Sequence, residues 1–323
     1  MPKEYKRNLS IIIPHYNTPD LLQKLIDSIP TLDDIQIIVV DDRSDKFIDK
    51  LDEIREKYKN KVEFYRNDDL LKGAGTCRNI GLRHADGKWI LFADADDFFM
   101  DGMYEAVSVY FDSEFDEVLF APTSIFSDTG EISNVHIIHE KRVNDYLSNP
   151  SQENLLRLKI SWTVPWSKLI RHDLIDEKNI WFDEVLYFND MMFSVKAGHY
   201  SKSIAVSKDV IYCAVRVKGS LTMQVGWNAY EIRLQEYLKV CDFIKEHYSL
   251  KEMKAMHYTC LGMLYRAIKN NYGVKKYLWI VKMFLRHNIP LFSWEQISIE
   301  SFRQAIKEWR SKRVESEYMI KEN

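Results

Sequence analysis

The chain has 323 residues, of which 46% are hydrophobic and 29% charged, and its formal net charge is −3. This composition is typical of one large or two smaller folded domains, and it excludes a disordered chain and gives no basis for nucleic-acid binding. No apolar run reaches the length of a signal-peptide core or a membrane span, and the four scattered cysteines predict reduced thiols in a cytoplasmic protein.

In the first hundred residues, short apolar runs alternate with amphipathic segments. Four runs predict strands, which in chain order are Leu9–Ile13 (ended by Pro14), Ile37–Val40, Val62–Phe64 and Trp89–Phe92. The intervening segments predict helices, which begin at Pro19, run through Leu51–Tyr58 and extend from Thr76 to His84. Continuously apolar strands that alternate with helices indicate a parallel sheet covered on both faces.

From about Asn228 the chain consists of long amphipathic segments with few helix-breaking residues. They predict four helices near Asn228–His247, Leu250–Asn271, Lys275–His287 and Trp294–Lys312. A boundary near Thr222 therefore separates an α/β region from a helical one.

Polar clusters follow three of the predicted strands, at Pro14–Asn17, Asp41–Asp42 and Asp94–Asp97. Ligands of open parallel sheets bind beyond the carboxyl ends of the strands, so these clusters are expected to converge. Asp94 and Asp96 are alternate residues that face the same way in an extended segment, and their oxygens suit Mg²⁺ or Mn²⁺. The alternative is a solvated acidic turn that caps a helix near Gly102. The convergence favours the metal site.

Four motifs, in this order and at this spacing, resemble the family-two glycosyltransferases of the GT-A fold: LSIIIPHYN (Leu9–Asn17), IIVVDDRS (Ile37–Ser44), GAGTCRNIG (Gly73–Gly81) and DGKWILFADADDF (Asp86–Phe98). Three later stretches are similar to further signatures of that family: Val164–Ile170, Phe188–Phe193 and Arg216–Thr222. The resemblance implies an α/β, Rossmann-like, mostly parallel sheet flanked by helices. Residues 1–222 would form the catalytic domain, with a nucleotide-binding half (about 1–100) and an acceptor half (about 101–222), and residues 223–323 a helical C-terminal region.

The same resemblance assigns the donor loops. Pro14, Tyr16 and Asn17 match the family's first nucleotide-binding loop. Asp42 matches the acid that hydrogen-bonds a uracil ring, and Asp41 beside it either fixes the turn or, like Asp42, caps a helix.

The glycine-containing segment matches a further part of the donor site. Arg78 corresponds to the basic residue that pairs with a carboxylate or with the donor diphosphate. Gly73 and Gly75 either let the backbone approach a ligand or are ordinary loop glycines.

Asp94, Ala95 and Asp96 match the family's DxD element. The resemblance implies that they contact the nucleotide-sugar, with Mn²⁺ or Mg²⁺ as the cofactor. Asp96 would bind the metal directly, and Asp94 would meet the ribose or the metal shell. The role of Asp97, the third carboxylate, stays open.

Inverting enzymes of the family use a carboxylate to deprotonate the acceptor hydroxyl. Asp190 takes that catalytic position, and Asn189 replaces the usual glutamate beside it. The alternative is that Asp190 only caps a helix running to Gly198. Lys218 replaces a histidine found in many relatives; an ammonium cannot ligate a metal, so it either neutralises the diphosphate or is a solvated loop residue.

The resemblance implies a metal-dependent, inverting enzyme that moves a hexosyl or N-acetylhexosaminyl group from a UDP-sugar to a glycan or a lipid- or polymer-linked acceptor in surface polysaccharide biosynthesis. Two alternatives stay open. One is a catalytically inactive sugar-nucleotide- or glycan-binding partner subunit, although Asp190 and the DxD aspartates are all present. The other is a nucleotidyltransferase, although Pro14–Thr18 lacks the glycine-dense basic loop that such an enzyme needs.

The segment Tyr272–Phe292 mixes aromatic and aliphatic residues with lysine and arginine. Two interpretations follow. It is an interfacial helix that brings a cytoplasmic enzyme to a lipid-linked acceptor at the inner membrane face, or it packs against the catalytic domain or a second subunit.

Overall fold

The computed structural model describes residues 4–217 and 224–293. Within them the chain forms two compact units, one of residues 4–150 and 158–216 and the other of residues 151–157, 217 and 224–293. The predicted boundary at Thr222, the helix Trp294–Lys312 and Lys218 lie outside the described residues.

Strands of the first unit form a single sheet in the order β3-β2-β1-β4-β7-β6-β8-β5. In chain order they are β1 (Arg7–His15), β2 (Ile35–Asp41), β3 (Val62–Arg66), β4 (Gly87–Phe92), β5 (Phe98–Phe99), β6 (Glu117–Phe126), β7 (Lys168–Arg171) and β8 (Ile204–Arg216).

The helices between these strands are α1 (Pro19–Asp27), α2 (Ile48–Tyr58), α3 (Ala74–His84), α4 (Met103–Ser108), α5 (Ile137–Ser148), α6 (Gln152–Ser161), α7 (His172–Glu177) and α8 (Met191–Tyr200). The predicted α/β sheet flanked by helices is thus confirmed. It is parallel across β3, β2, β1 and β4, whereas β7 pairs antiparallel with both β4 and β6.

Both faces of the parallel half are buried, because side chains alternate across each strand. On β2, Ile37 and Val39 belong to the core under α1 and α2, and Ile38 and Val40 belong to the core under α3 and α8. This burial on both faces is the reason that the sequence of β2 contains a continuous apolar run.

The prediction that Pro14 ends the first strand is wrong, because β1 continues to His15. Ile12 O accepts a hydrogen bond from Ala93 N on the β4 side, and alternate residues point to the same neighbour. Pro14 therefore faces β4 beyond Ile12, the last residue of β1 that β4 pairs with. A missing N–H costs nothing there, so the strand accommodates the proline.

The helical unit contains α9 (Trp227–His247), α10 (Leu250–Ala255), α11 (Cys260–Lys269) and α12 (Val274–Arg286). The single helix predicted over Leu250–Asn271 is wrong. A positive φ at His257 (64°) and an extended Thr259 separate α10 from α11. Hydrophobic periodicity does not register such a break, since both pieces keep their apolar faces.

Aromatic rings hold α12 against α9. Trp227 stacks on Tyr230 with ring centroids 5.3 Å apart, and it meets the edges of Tyr272 and Trp279. Among the described residues, no helix is long and apolar enough to cross a membrane. All four cysteines are buried and unpaired.

Candidate active site

The loops that carry the predicted site lie at one edge of the sheet, because β1, β2 and β4 run parallel and end together. Backbone hydrogen bonds tie their ends: Asp42 N donates to His15 O (2.8 Å), and Ala93 N donates to Ile12 O (3.1 Å). The predicted convergence of these strand ends is therefore present.

The first loop is clamped to the second by Asn17. Its Oδ1 accepts hydrogen bonds from the backbone N–H groups of Asp45 and Lys46, both at 3.0 Å, and its φ is +55°. Tyr16 next to it is 45% exposed, and the Lys72 ammonium lies 5.0 Å from its ring centroid. Asn17 thus shapes the loop, whereas the Tyr16 ring is available to a ligand.

Asp41 builds the second loop. It accepts hydrogen bonds from His15 Nδ1 (2.9 Å) and Ser44 Oγ (2.6 Å). Burial alone would raise the pKa of Asp41, but these hydrogen bonds outweigh burial and lower it. The Asp41 carboxylate is therefore held as an anion that fixes the turn.

Asp42 is buried and joins two further segments. Its oxygens accept hydrogen bonds from Asn67 Nδ2 (2.6 Å) and from Gly73 N (2.8 Å). The carboxylate thus links the end of β3 to the start of α3, which places it beside the glycine-containing segment.

Gly75 lies within α3 and allows that helix to pack closely against the backbone of a distant segment. A Cβ at Gly75 would lie 2.2 Å from the Asp183 carbonyl oxygen. This close approach brings Arg78 of α3 to Asn189, with Arg78 Nη1 donating to Asn189 Oδ1 at 2.9 Å. Arg78 Nη2 donates to Asp94 Oδ1 in the acidic turn Asp94–Asp97. One buried guanidinium therefore joins α3, this acidic turn and the segment before α8.

The acidic turn after β4 divides its carboxylates into two kinds. Asp97 is 6% exposed, and it accepts hydrogen bonds from Tyr212 Oη and Val215 N, both at 2.6 Å. The Tyr212 hydroxyl also accepts a hydrogen bond from Asp94 N at 2.9 Å. Asp97 therefore anchors the turn to β8, whereas the Asp94 carboxylate is partly exposed and Asp96 is a half-buried residue.

Burial, followed by the charge of Asp94, raises the pKa of Asp96 to about 6. No cluster of three or more His, Cys, Asp or Glu side chains in the described ranges is arranged to hold a metal. Two neighbouring carboxylates nevertheless fit Mn²⁺ or Mg²⁺, which protein sites commonly hold through one or two carboxylates while phosphate oxygens and water complete the shell.

Asp190 lies at the position before α8, but its side chain makes no capping hydrogen bond. Burial raises the pKa of Asp190 to about 6, the charge of Arg78 lowers it, and the charge of Asp94 raises it. A carboxyl group with this pKa suits general-base work near neutral pH. The alternative that the Asp190 side chain only caps α8 is therefore wrong.

Two residues of this site carried no signal in the sequence. Tyr212 lies within the apolar strand β8, and Asn67 follows β3 in a polar stretch typical of any loop. Their contacts with Asp97 and Asp42 arise from strands distant in the chain, so a single sequence offers no spacing that would reveal them.

The family model "Glycosyl transferase family 2" matches residues 10–177, a span that contains the strand ends, Arg78 and the acidic turn. The chain belongs to glycosyl transferase family 2.

Among curated members of the family, the chain is 26% identical over 220 residues to the poly(ribitol-phosphate) β-N-acetylglucosaminyltransferase TarS of Staphylococcus aureus, covering 63% of this chain and 34% of TarS. The match thus spans about a third of the TarS length. This chain is also 24% identical over 297 residues to the GalNAc(5)-diNAcBac-PP-undecaprenol β-1,3-glucosyltransferase of Campylobacter jejuni, and the match covers 90% of this chain and 91% of the relative.

The crystal structure of TarS 1–349 in complex with UDP-GlcNAc has a TM-score of 0.65 at 19% identity, covering 88% of this chain and 82% of that one. A mannosyltransferase from Pyrobaculum calidifontis, in complex with GDP-Man and Mn²⁺, has a TM-score of 0.56 at 16% identity, covering 97% and 84%. These similarities confirm the GT-A fold predicted for this family-two chain.

Proposed function

We propose that this family-two chain is a metal-dependent inverting enzyme that transfers a hexosyl or N-acetylhexosaminyl group from a UDP-sugar to a glycan or a lipid- or polymer-linked acceptor. One observation carries the proposal: Arg78 joins the partly exposed carboxylate of Asp94 to Asn189, the residue next to Asp190. The proposed metal ligand, a buried cation and the proposed base are thus part of one site.

On the donor side, Tyr16 and the Asp42 loop receive the nucleoside. Asp94 and Asp96 would hold Mn²⁺ or Mg²⁺, which when bound supplies Lewis-acid stabilisation of the negative charge on the diphosphate. Arg78 stabilises the same charge through its guanidinium, which is already fixed in place by Asp94 and Asn189.

On the acceptor side, Asp190 takes the proton of the attacking hydroxyl. The bond from the acceptor oxygen to the anomeric carbon forms as the bond from that carbon to the diphosphate oxygen breaks. A single displacement of this kind inverts the anomeric configuration. The nucleoside diphosphate leaves with the electron pair, and the proton remains on Asp190.

The acceptor class is supported by two relatives of the chain. One acts on poly(ribitol-phosphate) and the other on an undecaprenol-linked glycan. Both names fit a role in surface polysaccharide biosynthesis, with transfer taking place on the cytoplasmic side of the membrane.

The experiment is a transfer assay with a panel of UDP-sugars and Mn²⁺, together with donor-binding calorimetry. We expect Asp190→Asn to reduce kcat by about 10²–10⁴-fold while donor binding is retained. We expect Asp96→Ala to remove the metal dependence of donor binding. Asp101→Asn, a change of an exposed aspartate beyond the turn, is the matched control and leaves both properties unchanged. Full activity in either site variant would contradict the proposal.

The pH dependence of transfer tests the role of Asp190 separately. The base must be ionised, so kcat/KM is expected to fall about tenfold per pH unit below the Asp190 pKa of about 6. At saturating Mn²⁺, which keeps the proposed metal ligand Asp96 ionised, the residual rate of Asp190→Asn loses this dependence. An unchanged pH profile in the variant would assign the base to another group.

A further inference from the structure

The helical unit contains a segment with an extreme charge pattern. Residues 260–293 include no aspartate or glutamate, although the whole chain has a net charge of −3. The segment carries six basic residues: Arg266, Lys269, Lys275, Lys276, Lys282 and Arg286. A stretch this long with cations alone predicts attraction to an anionic partner.

Helix α12 within this segment has two apolar stripes. Ile280 and Phe284 are fully buried and face the other helices. Val274, Leu278 and Leu285 are 69%, 66% and 57% exposed, and their spacing of four and seven residues places them on one outward face. The inward stripe suffices for packing, so folding of this unit does not account for the outward one.

Basic side chains border the outward stripe. Lys275, Lys282 and Arg286 are exposed, and each follows a residue of the outward face (Val274, Val281 and Leu285) by one position. No ion pair in the described part of the chain involves these three side chains. By contrast, Lys276 lies 4.1 Å from the ring centroid of Trp227 and serves the packing of the unit.

We propose that the outward face of α12 binds an anionic lipid surface, with the helix lying in the plane of the headgroups. Val274, Leu278 and Leu285 would enter the boundary of the acyl chains, and Lys275, Lys282 and Arg286 would pair with lipid phosphates. The helix has 13 residues, or about 20 Å, which is too short to span a bilayer core of about 30 Å.

Charge also decides between occupants of this face. A symmetric pairing of two copies through this face would place basic residues on both sides of the interface, and nothing acidic in residues 260–293 would neutralise them. Lipid phosphates neutralise them directly. The inference goes beyond the proposed function, since no step of sugar transfer requires it and its measurement does not depend on activity.

The experiment is sedimentation of the full chain with vesicles at moderate ionic strength. We expect binding to vesicles containing about one-third phosphatidylglycerol and none to pure phosphatidylcholine. The triple variant Lys275→Gln, Lys282→Gln, Arg286→Gln is expected to bind about 100-fold more weakly, from about fivefold per charge. The pair Leu278→Ser, Leu285→Ser is expected to lose at least about tenfold.

Matched controls are Val109→Ser and Lys208→Gln, which remove an exposed apolar and an exposed basic residue of the sheet unit. They keep full vesicle binding, and all variants keep the thermal unfolding midpoint because the changed side chains are exposed. Absence of binding by the wild type, equal binding to neutral vesicles, or wild-type binding by the variants would overturn the proposal. The proposal would also be overturned if the wild type formed a concentration-dependent dimer and did not bind vesicles, and if the leucine variants abolished that dimer.

Discussion

The two carboxylates at Asp41 and Asp190 lie in the same unit, yet their surroundings have opposite effects on their charge. Hydrogen bonds from His15 and Ser44 lower the pKa of Asp41. At Asp190 burial dominates and raises the pKa to about 6, with Arg78 opposing it. The Asp41 carboxylate is thus stabilised as an anion that fixes the loop after β2. The carboxyl group of Asp190, beside Arg78, instead has a pKa close to neutral pH and can exchange a proton there.

A carboxylate that receives several hydrogen bonds gains stability as an anion and loses basicity, while one that is buried with fewer donors keeps its basicity at the expense of folding free energy. Asp96, with its pKa also raised to about 6, belongs with Asp190. Variants at these residues test the division between the two kinds of carboxylate.

Arg78→Gln is expected to have a large effect on activity, second to that of Asp190→Asn, because it removes the cation between Asp94 and Asn189. We expect kcat/KM to fall about 10²–10³-fold, as for the loss of one preorganised electrostatic contact. The matched control is Arg83→Gln on the same helix, where Arg83 forms an exposed ion pair with Asp69 (3.2 Å). Steady-state kinetics with circular dichroism would distinguish the two. Equal activity in both variants would remove Arg78 from the centre.

Gly75→Ala tests whether close packing of α3 is what positions Arg78. The added Cβ would lie 2.2 Å from the Asp183 carbonyl oxygen, so backbone must move. We expect a loss of about 1–3 kcal/mol in the free energy of unfolding, with reduced activity in the protein that still folds. In the control Gly262→Ala no atom lies within 4 Å of the new Cβ, and stability should rise by up to about 1 kcal/mol. Urea unfolding measures both.

The third prediction compares the two carboxylates directly by urea unfolding at two pH values. The folded-state pKa of Asp41 is lowered, so its stabilisation is present above the unfolded pKa of about 3.9 and is lost as pH falls through the folded value. Asp41→Asn should therefore cost about 1–2 kcal/mol at neutral pH and progressively less in acid.

For Asp190 the sign is reversed. Its folded-state pKa is raised to about 6, so the ionised group destabilises the fold above that pH, and the penalty disappears between about pH 6 and pH 4. Asp190→Asn should then gain about 1 kcal/mol at neutral pH. A loss of stability in this variant would show that Asp190 is a structural carboxylate like Asp41.

Tyr212→Phe should have the smallest effect on activity. It removes the hydroxyl that donates to Asp97 and accepts from Asp94 N, which costs about 1–2 kcal/mol of stability. Because Asp94 is then less well held, the KM for the donor should rise a few-fold while kcat stays near its original value. Tyr58→Phe is the control, since Tyr58 also donates to a carboxylate, that of Asp27 on α1. An unchanged KM for the donor in Tyr212→Phe would show that the contact between Tyr212 and Asp97 does not position Asp94 and Asp96.

Most of the secondary structure of the first hundred residues could be predicted from the sequence, because it depends on local patterns of apolar and polar residues. Buried parallel strands appear as apolar runs, and the helices between them keep their periodicity, so β2, α3 and β4 were found close to their observed bounds. The break at His257 was not found, since one residue with positive φ leaves no trace in hydrophobic periodicity.

Local sequence patterns specify the parallel half of the sheet, β1 to β4, its two covered faces, and the aspartates after β2 and β4. Which aspartates accept hydrogen bonds within the fold depends on tertiary contacts, because the donors come from distant positions: Asn67 and Gly73 for Asp42, Tyr212 and Val215 for Asp97. The charge state of a carboxyl group depends on burial and on donors within about 3 Å. Those quantities exist only once the strands have assembled.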